Sequence, residues 1–186
     1  MTYPRTDARV LSTAVSKEIY KNISGLKNFV HARPYIDEIL QSGTYKTIAK
    51  TRYCNDKQIT DHYAIIPTGQ GFGALNSLNP TGMKVYEAIV RRFLSIFYPP
   101  AEYEKLNLVT AIKGESFFAN FKVMVSEGYL KVTHYSFAKK SNTSDKEEDQ
   151  GLDPKFLAAL NGLKKGMVVN VDGLYIKEGE TSPPKR

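Results

Sequence analysis

"TGMKVYEAIVRRFLSIFYPPAEYEKLNLVTAI", residues 81–112, changes its period half-way, and that change decides the fold class. Tyr86, Ile89, Val90, Phe93, Leu94 and Phe97 recur at steps of one, three or four, which places them on one apolar stripe of a helix. Pro99 and Pro100 end it, because proline lacks the N–H that the next turn would need. From Leu106 the stretch "LNLVTAI" is β-branched and apolar, the composition of a strand. A helix thus hands over to a β region, and the predicted class is α+β.

Upstream the pattern stays helical. "STAVSKEIYKNI" spaces Val15, Ile19 and Ile23 four residues apart, with Ser12 as N-cap and Gly25 as stop. "RPYIDEILQSG" predicts a short helix with Pro34 in its first turn and Gly43 just past its end. "YKTIAK" predicts one further helical turn. "TGQGFGALN", with Gly69, Gly71 and Gly73, reads as a flexible loop, since it lacks the closing Gly-Lys-Ser/Thr of a phosphate loop. Downstream, "FFANFKVMV" predicts a second strand after a "KG" turn, and "GYLKVTHYSF" and "MVVNVDGLYIK" continue the strand-like composition. "KKSNTSDKEEDQG" has no apolar periodicity and predicts a mobile loop near 139–151; "DPKFLAALNGL" predicts a short helix after it. The expected division is a helical part over 1–98 and a β-rich part over 99–186.

Composition narrows the function classes. The 186 residues carry a net charge of +7, with 13 Lys+Arg against 7 Asp+Glu in residues 1–98 and 13 against 12 in the rest. A polyanion would therefore dock on the first half, where phosphate contacts release counterions. No apolar run approaches the roughly 18 residues of a membrane span, so no membrane role is expected. No signal-peptide pattern opens the chain. Cys54 is the single cysteine, which excludes an internal disulfide and a cysteine-built zinc site. HExxH, CxxC and DxD clusters are absent, so no metal site is predicted within the chain.

Two segments carry candidate chemistry. In "TYPRTD", Thr2 to Asp7, alternate residues of an extended strand project to one side, so Tyr3, Arg5 and Asp7 share a face. A phenol titrates near 10 and attacks poorly unless its anion is stabilised; a guanidinium two positions on grips phosphate in a planar fork. With 12 tyrosines in the chain, packing is the ordinary fate of any one of them. In "QITDHYAIIPTG", His62 follows Asp61 and precedes an apolar strip, so the imidazole can donate to a phosphate oxygen or hold a proton. The ordinary alternative is a half-exposed histidine bonded to backbone.

Taken together these segments resemble the type IA DNA topoisomerases, most closely the bacterial topoisomerase III branch. That family carries a nucleophilic tyrosine in Tyr-x-Arg-Thr-Asp, here Tyr3 to Asp7, and a second stretch Asp-His-His-Ala-Ile-Ile-Pro-Thr, here "DHYAIIPT", Asp61 to Thr68. "VYEAIVRRFLSIFYPPAEYEK" resembles the helix that follows, and "TSPPKR" the stretch before a further helical domain. The departures are Ala8, where the family often has Ser or Cys, and Tyr63, where it has a second histidine.

The resemblance implies a winged-helix-like tyrosine domain followed by a β-rich arch, within a longer chain whose Toprim-type domain binds Mg²⁺. It implies that Tyr3 attacks single-stranded DNA, that Arg5 and His62 hold the scissile phosphate, and that Asp7 and Asp61 support them. Arg9, Lys57 and Thr68 flank these residues and are expected to contact DNA. The activity implied is ATP-independent cleavage and religation through a 5′-phosphotyrosine, with these 186 residues inactive alone and without a cofactor of their own. The implied substrate is single-stranded or negatively supercoiled DNA, the implied location the bacterial cytoplasm at the nucleoid, and the implied helpers a helicase or single-strand-binding protein. The competing reading is a non-catalytic single-stranded DNA-binding module. Tyrosine recombinases fit poorly, because Ile65 stands where their second arginine belongs, and rolling-circle nucleases need a His-hydrophobe-His pair that is absent.

Overall fold

The helices begin and end where local chemistry directs. A computed structural model describes residues 1–137, 154–173, 175, 176 and 179. Helix α1 spans Thr13–Gly25, and the extended Ser12 accepts the N–H of Val15 at 3.1 Å. Its buried residues Ser16, Ile19 and Ile23 lie at helical spacing. Helix α2 spans Arg33–Ser42, buries Ile36 and Ile39, and stops at Gly43, whose left-handed φ of 69° favours glycine. Helix α3 spans Pro80–Ser95; Asn79 caps it by accepting the N–H of Gly82 at 2.7 Å. Short 3₁₀ turns fill the gaps, among them Thr44–Lys50 and Asp56–Gln58. A further one over Phe72–Ser77 occupies the stretch expected to be a flexible loop.

One core gathers these elements. Ile19, Ile23 and Leu26 meet Ile36, Ile39 and Ile48, and the α3 stripe closes it with Tyr86, Val90, Phe93 and Leu94. Phe29 packs edge-on against Tyr86 at 5.5 Å, and Phe93 against Phe97 at 5.3 Å.

After Pro99-Pro100 the chain forms a hairpin, β1 over Glu102–Ile112 and β2 over Glu115–Ser126. Its two-residue turn uses positive φ at both Lys113 (50°) and Gly114 (91°), the geometry that matches strand twist. The register places Leu106 opposite Phe121 and Lys105 opposite Lys122. The strands run beyond the β-rich cores "LNLVTAI" and "FFANFKVMV", and Lys122 reaches over the Tyr103 ring at 4.0 Å.

Two strand expectations fail. "GYLKVTHYSF" begins instead as a 3₁₀ turn over Gly128–Thr133. Its backbone bonds run to the helical body: Tyr129 N–H donates to Pro99 O at 2.9 Å, and Val132 O receives Arg91 at 3.0 Å. Gly128 backs so closely on the Pro99 and Pro100 carbonyls that a Cβ would collide with them. The other stretch, "MVVNVDGLYIK", forms no strand among its described residues, and Val168 and Ile176 are 93 % and 89 % exposed. A lone extended segment has no ladder to satisfy its backbone.

A buried ion pair ties α3 to the stretch that follows the hairpin. Arg91 Nε donates to Glu87 at 2.6 Å, Nη2 donates to His31 O at 3.0 Å, and the guanidinium covers the Tyr35 ring at 5.7 Å. Glu87 also accepts the N–H of Ser136 at 2.8 Å and its hydroxyl. Each nitrogen of the guanidinium and both carboxylate oxygens thereby have a hydrogen-bond partner, as a buried pair requires. Glu38 adds a second tie, accepting Lys131 Nζ at 2.7 Å and Tyr98 Oη at 2.9 Å.

The chain divides into two compact units, Met1–Gln150 and Gly151–Arg186. The first holds α1–α3 and the hairpin. The second holds α4, Pro154–Asn161, as expected from "DPKFLAALNGL". The loop expected near 139–151 lies outside the described residues. The observed mix of helices and a two-stranded antiparallel sheet is the α+β class expected. No helix among the described residues is long and apolar enough to cross a membrane.

Candidate active site

The segment that carries Tyr3 is held by backbone and hydroxyl bonds to the segment that carries His62. Thr2 N–H donates to Ile66 O at 2.9 Å, and Ile66 N–H returns to Thr2 Oγ1 at 3.0 Å. Four residues on, Thr6 Oγ1 donates to His62 O at 2.9 Å and accepts Ala8 N–H at 3.0 Å. Ala64 N–H then reaches Val10 O at 2.9 Å. The two segments run antiparallel from Thr2 to Thr6, with Tyr3 and Arg5 between the two threonine ties.

The body holds both segments in turn. Val10 and Leu11 are buried, and Leu11 N–H bonds to Tyr53 O at 2.8 Å. Thr13 donates its N–H and hydroxyl to the Asp56 carboxylate at 2.8 and 2.6 Å. Those bonds hold the Asp56 carboxyl below its usual range, the hydroxyl most. On the His62 side, Ile66 and Pro67 are buried, and Asn22 Nδ2 donates to Pro67 O at 2.9 Å. Gly69 then lies back to back with Gly25 at the end of α1, so close that a Cβ on Gly25 would strike the Gly69 backbone and one on Gly69, where φ is 71°, would strike the Asn22 carbonyl. This contact needs glycine at both positions.

What emerges is an open cleft of about 500 Å³ lined by Tyr3, Arg5, Thr6, Asp7, Thr60, Asp61 and His62. Tyr3 is 59 % exposed, and its ring lies 4.7 Å from the His62 ring with the planes tilted by 35°. Thr60 Oγ1 donates to Asp7 at 3.4 Å. Arg5 forms no ion pair or hydrogen bond among the described residues, so its guanidinium faces the cleft with its donors unspent. A phenol hydroxyl, a planar cation and an imidazole thus share one solvent-open pocket. That set suits a phosphodiester: the cation and imidazole can hold the phosphate while the phenol oxygen approaches it.

The structure brings together five of the candidate residues, Tyr3, Arg5, Asp7, Asp61 and His62, and leaves three outside the lining. Arg9 is exposed beyond Ala8, Lys57 is exposed in the Asp56–Gln58 turn, and Thr68 is half-buried after Pro67. His62 is exposed, not sealed in the core. Thr2, Thr6 and Thr60 were not singled out from the sequence. Their partners are remote along the chain, and no local pattern marks a threonine whose hydroxyl ties two distant segments.

Among the described residues no three His, Cys, Asp or Glu side chains converge as a metal holder. Asp7 and Asp61 are the two carboxylates of the cleft, and Mg²⁺ held by so few needs waters and substrate phosphates to complete its shell, so they form no closed site by themselves.

A family model described as DNA topoisomerase matches residues 1–186, the whole chain. The chain belongs to the DNA topoisomerase family. It is 35 % identical over 186 residues to DNA topoisomerase 3 of Bacillus licheniformis, covering all of this chain and 23 % of that protein. It is 32 % identical to DNA topoisomerase 3 of Bacillus subtilis, covering 24 % of it, and 29 % identical to that of Bacillus anthracis, again covering 24 %. The chain therefore spans about a quarter of the length of the curated relatives it matches. The family match includes both segments of the cleft, Thr2–Asp7 and Asp61–Thr68.

Proposed function

We propose that the protein to which these residues belong is a type IA DNA topoisomerase of the topoisomerase III kind. In this reading the Tyr3 phenol oxygen attacks a phosphodiester of single-stranded DNA. A bond forms between Tyr3 Oη and the phosphorus, and the bond from phosphorus to the 3′ oxygen breaks. The 3′ oxygen leaves with a proton as a hydroxyl, and Tyr3 stays joined to the 5′ phosphate. Reversal restores the strand, and because one ester replaces another no ATP is consumed. Between the two steps the other strand passes through the gap.

Arg5 binds the scissile phosphate in a planar fork and stabilises charge as it grows. His62 donates to the same phosphate or its neighbour. Asp7 orients Thr60 on the cleft wall, and Asp61 supports His62. Arg9, Lys57 and Thr68 contact the DNA on either side. Residues 1–98 act as the tyrosine-bearing domain and 99–186 as the arch. Magnesium belongs to a Toprim-type part elsewhere in the protein. The substrate is single-stranded or negatively supercoiled DNA at the nucleoid of the bacterial cytoplasm, with a helicase or single-strand-binding protein as partner.

One observation carries this reading: the Tyr3 ring lies on the His62 ring in a cleft that also holds Arg5. The test is covalent capture of a labelled single-stranded oligonucleotide by the full-length protein. Tyr3→Phe is expected to abolish capture. Full capture by that variant would leave the non-catalytic single-stranded DNA-binding module as the better description.

A further inference from the structure

Between Ile39 and Asn55 the sequence holds three cations, Lys46, Lys50 and Arg52, and no carboxylate. This run forms the 3₁₀ turn Thr44–Lys50 and the bend after it, and the turn packs against α1. Two neighbouring cations are matched, Lys21 with Glu18 at 3.3 Å and Arg33 with Asp37 at 3.8 Å, while Lys17 and Lys27 form no ion pair among the described residues. Lys46, Lys50 and Arg52 are exposed and form no ion pair among the described residues. The next carboxylate, Asp56, is taken by Thr13 and is not aimed at them.

Aromatic rings interleave with these charges. Tyr20 of α1 is 51 % exposed, and its ring lies 5.6 Å from that of Tyr45. A tyrosine so exposed gains little from packing, yet presents an apolar ring to solvent. Arg52 stacks its guanidinium 5.1 Å over the Tyr53 ring and donates Nη2 to Tyr53 Oη at 3.1 Å. Its remaining N–H groups have no bond among the described residues and stay available in a fixed plane. Tyr53 O in turn receives the N–H of Leu11, on the segment that begins with the Tyr3 motif.

We propose that this surface, carried by Tyr20, Tyr45, Lys46, Lys50, Arg52 and Tyr53, is a second contact for single-stranded nucleic acid. None of these residues lines the Tyr3 cleft. Bases stack on the Tyr20 ring, and phosphates meet the two lysines and Arg52. An exposed ring, Tyr20, with the partly buried Tyr45 and Tyr53 beside unmatched cations, is a combination that grips a strand without reading its sequence. A duplex keeps its base faces stacked inside and uses the cations alone. An acidic peptide likewise has no use for the rings. The surface is tied to the segment that carries the Tyr3 motif by the Leu11–Tyr53 backbone bond.

The test uses the 186-residue chain, a fluorescent oligothymidylate and anisotropy over a range of salt. Tyr20→Ala is expected to weaken binding roughly 5- to 150-fold, the cost of one lost stacking partner, while Tyr20→Phe binds as the native chain does. Arg52→Ala is expected to flatten the slope of log affinity against log salt by about 0.7, one phosphate contact on a single strand. The idea is overturned if Tyr20→Ala and Arg52→Ala bind with native affinity and salt slope, or if unlabelled duplex competes as well as unlabelled oligothymidylate. Should Tyr20→Ala fail to fold by circular dichroism, the Arg52→Ala slope decides alone, since that side chain is on the surface. The readout is reversible binding without bond breakage, so a failure of the Tyr3 chemistry would leave it unaffected.

Discussion

The ring of His62 lies 4.7 Å from the ring of Tyr3, tilted by 35°, although the two residues come from segments far apart in the chain. Ring contact at that distance leaves the imidazole edge in the same cleft as the phenol oxygen. If His62 donates to the phosphate during attack, its removal slows the chemical step more than it weakens DNA binding. His62→Ala in the full-length protein is therefore expected to lower the single-turnover cleavage rate by on the order of 10²-fold, as for other preorganised donors. His62→Gln, which keeps an N–H, should recover part of the loss. Equal cleavage by native protein and His62→Ala would remove the imidazole from the proposed mechanism.

Gly25 and Gly69 are packed backbone to backbone, and this contact sets where the His62 segment leaves the body. A methyl group at Gly25 meets the Gly69 carbonyl, which cannot rotate away as a side chain would. Overpacking of this kind costs ~1–3 kcal/mol. Gly25→Ala is expected to lower the thermal midpoint by roughly 2–12 °C, at about 2–4 °C per kcal/mol for a chain of this size. Differential scanning calorimetry reads it directly, and an unchanged midpoint would mean that the loop shifts freely.

Much of the helical body was legible because its signals are local. Ser12 caps α1, Pro34 starts α2, Gly43 ends it, and the α3 stripe repeats at helical spacing, each readable within a few residues. The hairpin was legible for the same reason, since Lys113-Gly114 supplies the turn its strands need. Residues 128–137 were not. Their composition is that of a strand, but their backbone partners are Pro99 and Arg91, set by packing that no nearby residue announces. The site divides likewise. Tyr3, Arg5 and His62 were found through family resemblance, because composition alone gives no reason to choose one tyrosine among 12. Thr2 and Thr6 became visible only once the pairing with Ile66 and His62 was known.

The Glu87–Arg91 pair gives a test of what holds residues 128–136 against α3. Each side chain is about 5 % exposed, so removing one partner strands the other charge. Glu87→Ala is expected to cost ~3–5 kcal/mol in urea unfolding. The double change Glu87→Leu with Arg91→Met removes both charges together and should recover most of that loss, because an apolar pair of similar volume has no desolvation penalty to offset. If the double variant is as unstable as the single one, the bonds from Arg91 to His31 O and Val132 O matter more than its pairing with Glu87.

Acid should act on the same junction through its carboxylates. Burial pushes the Glu87 carboxyl up, but the hydroxyl and N–H of Ser136 and the Arg91 guanidinium outweigh it and hold the group below its usual range. The hydrogen bond from Lys131 does the same for Glu38, helped by Tyr98 and opposed by partial burial. A folded-state value below the unfolded one means that the unfolded chain takes up protons first as the pH falls. The stabilisation is thus complete above the unfolded glutamate value of about 4.3 and drains away as the pH drops from there through the folded values. Urea midpoints measured at pH 7, 5 and 3 should hold nearly level in the first interval and fall in the second. Glu87→Gln starts lower at pH 7 and should fall less steeply below pH 4, because one of the linked groups no longer titrates. Parallel curves for the native chain and Glu87→Gln would show that Glu87 keeps the same affinity for protons when the chain unfolds.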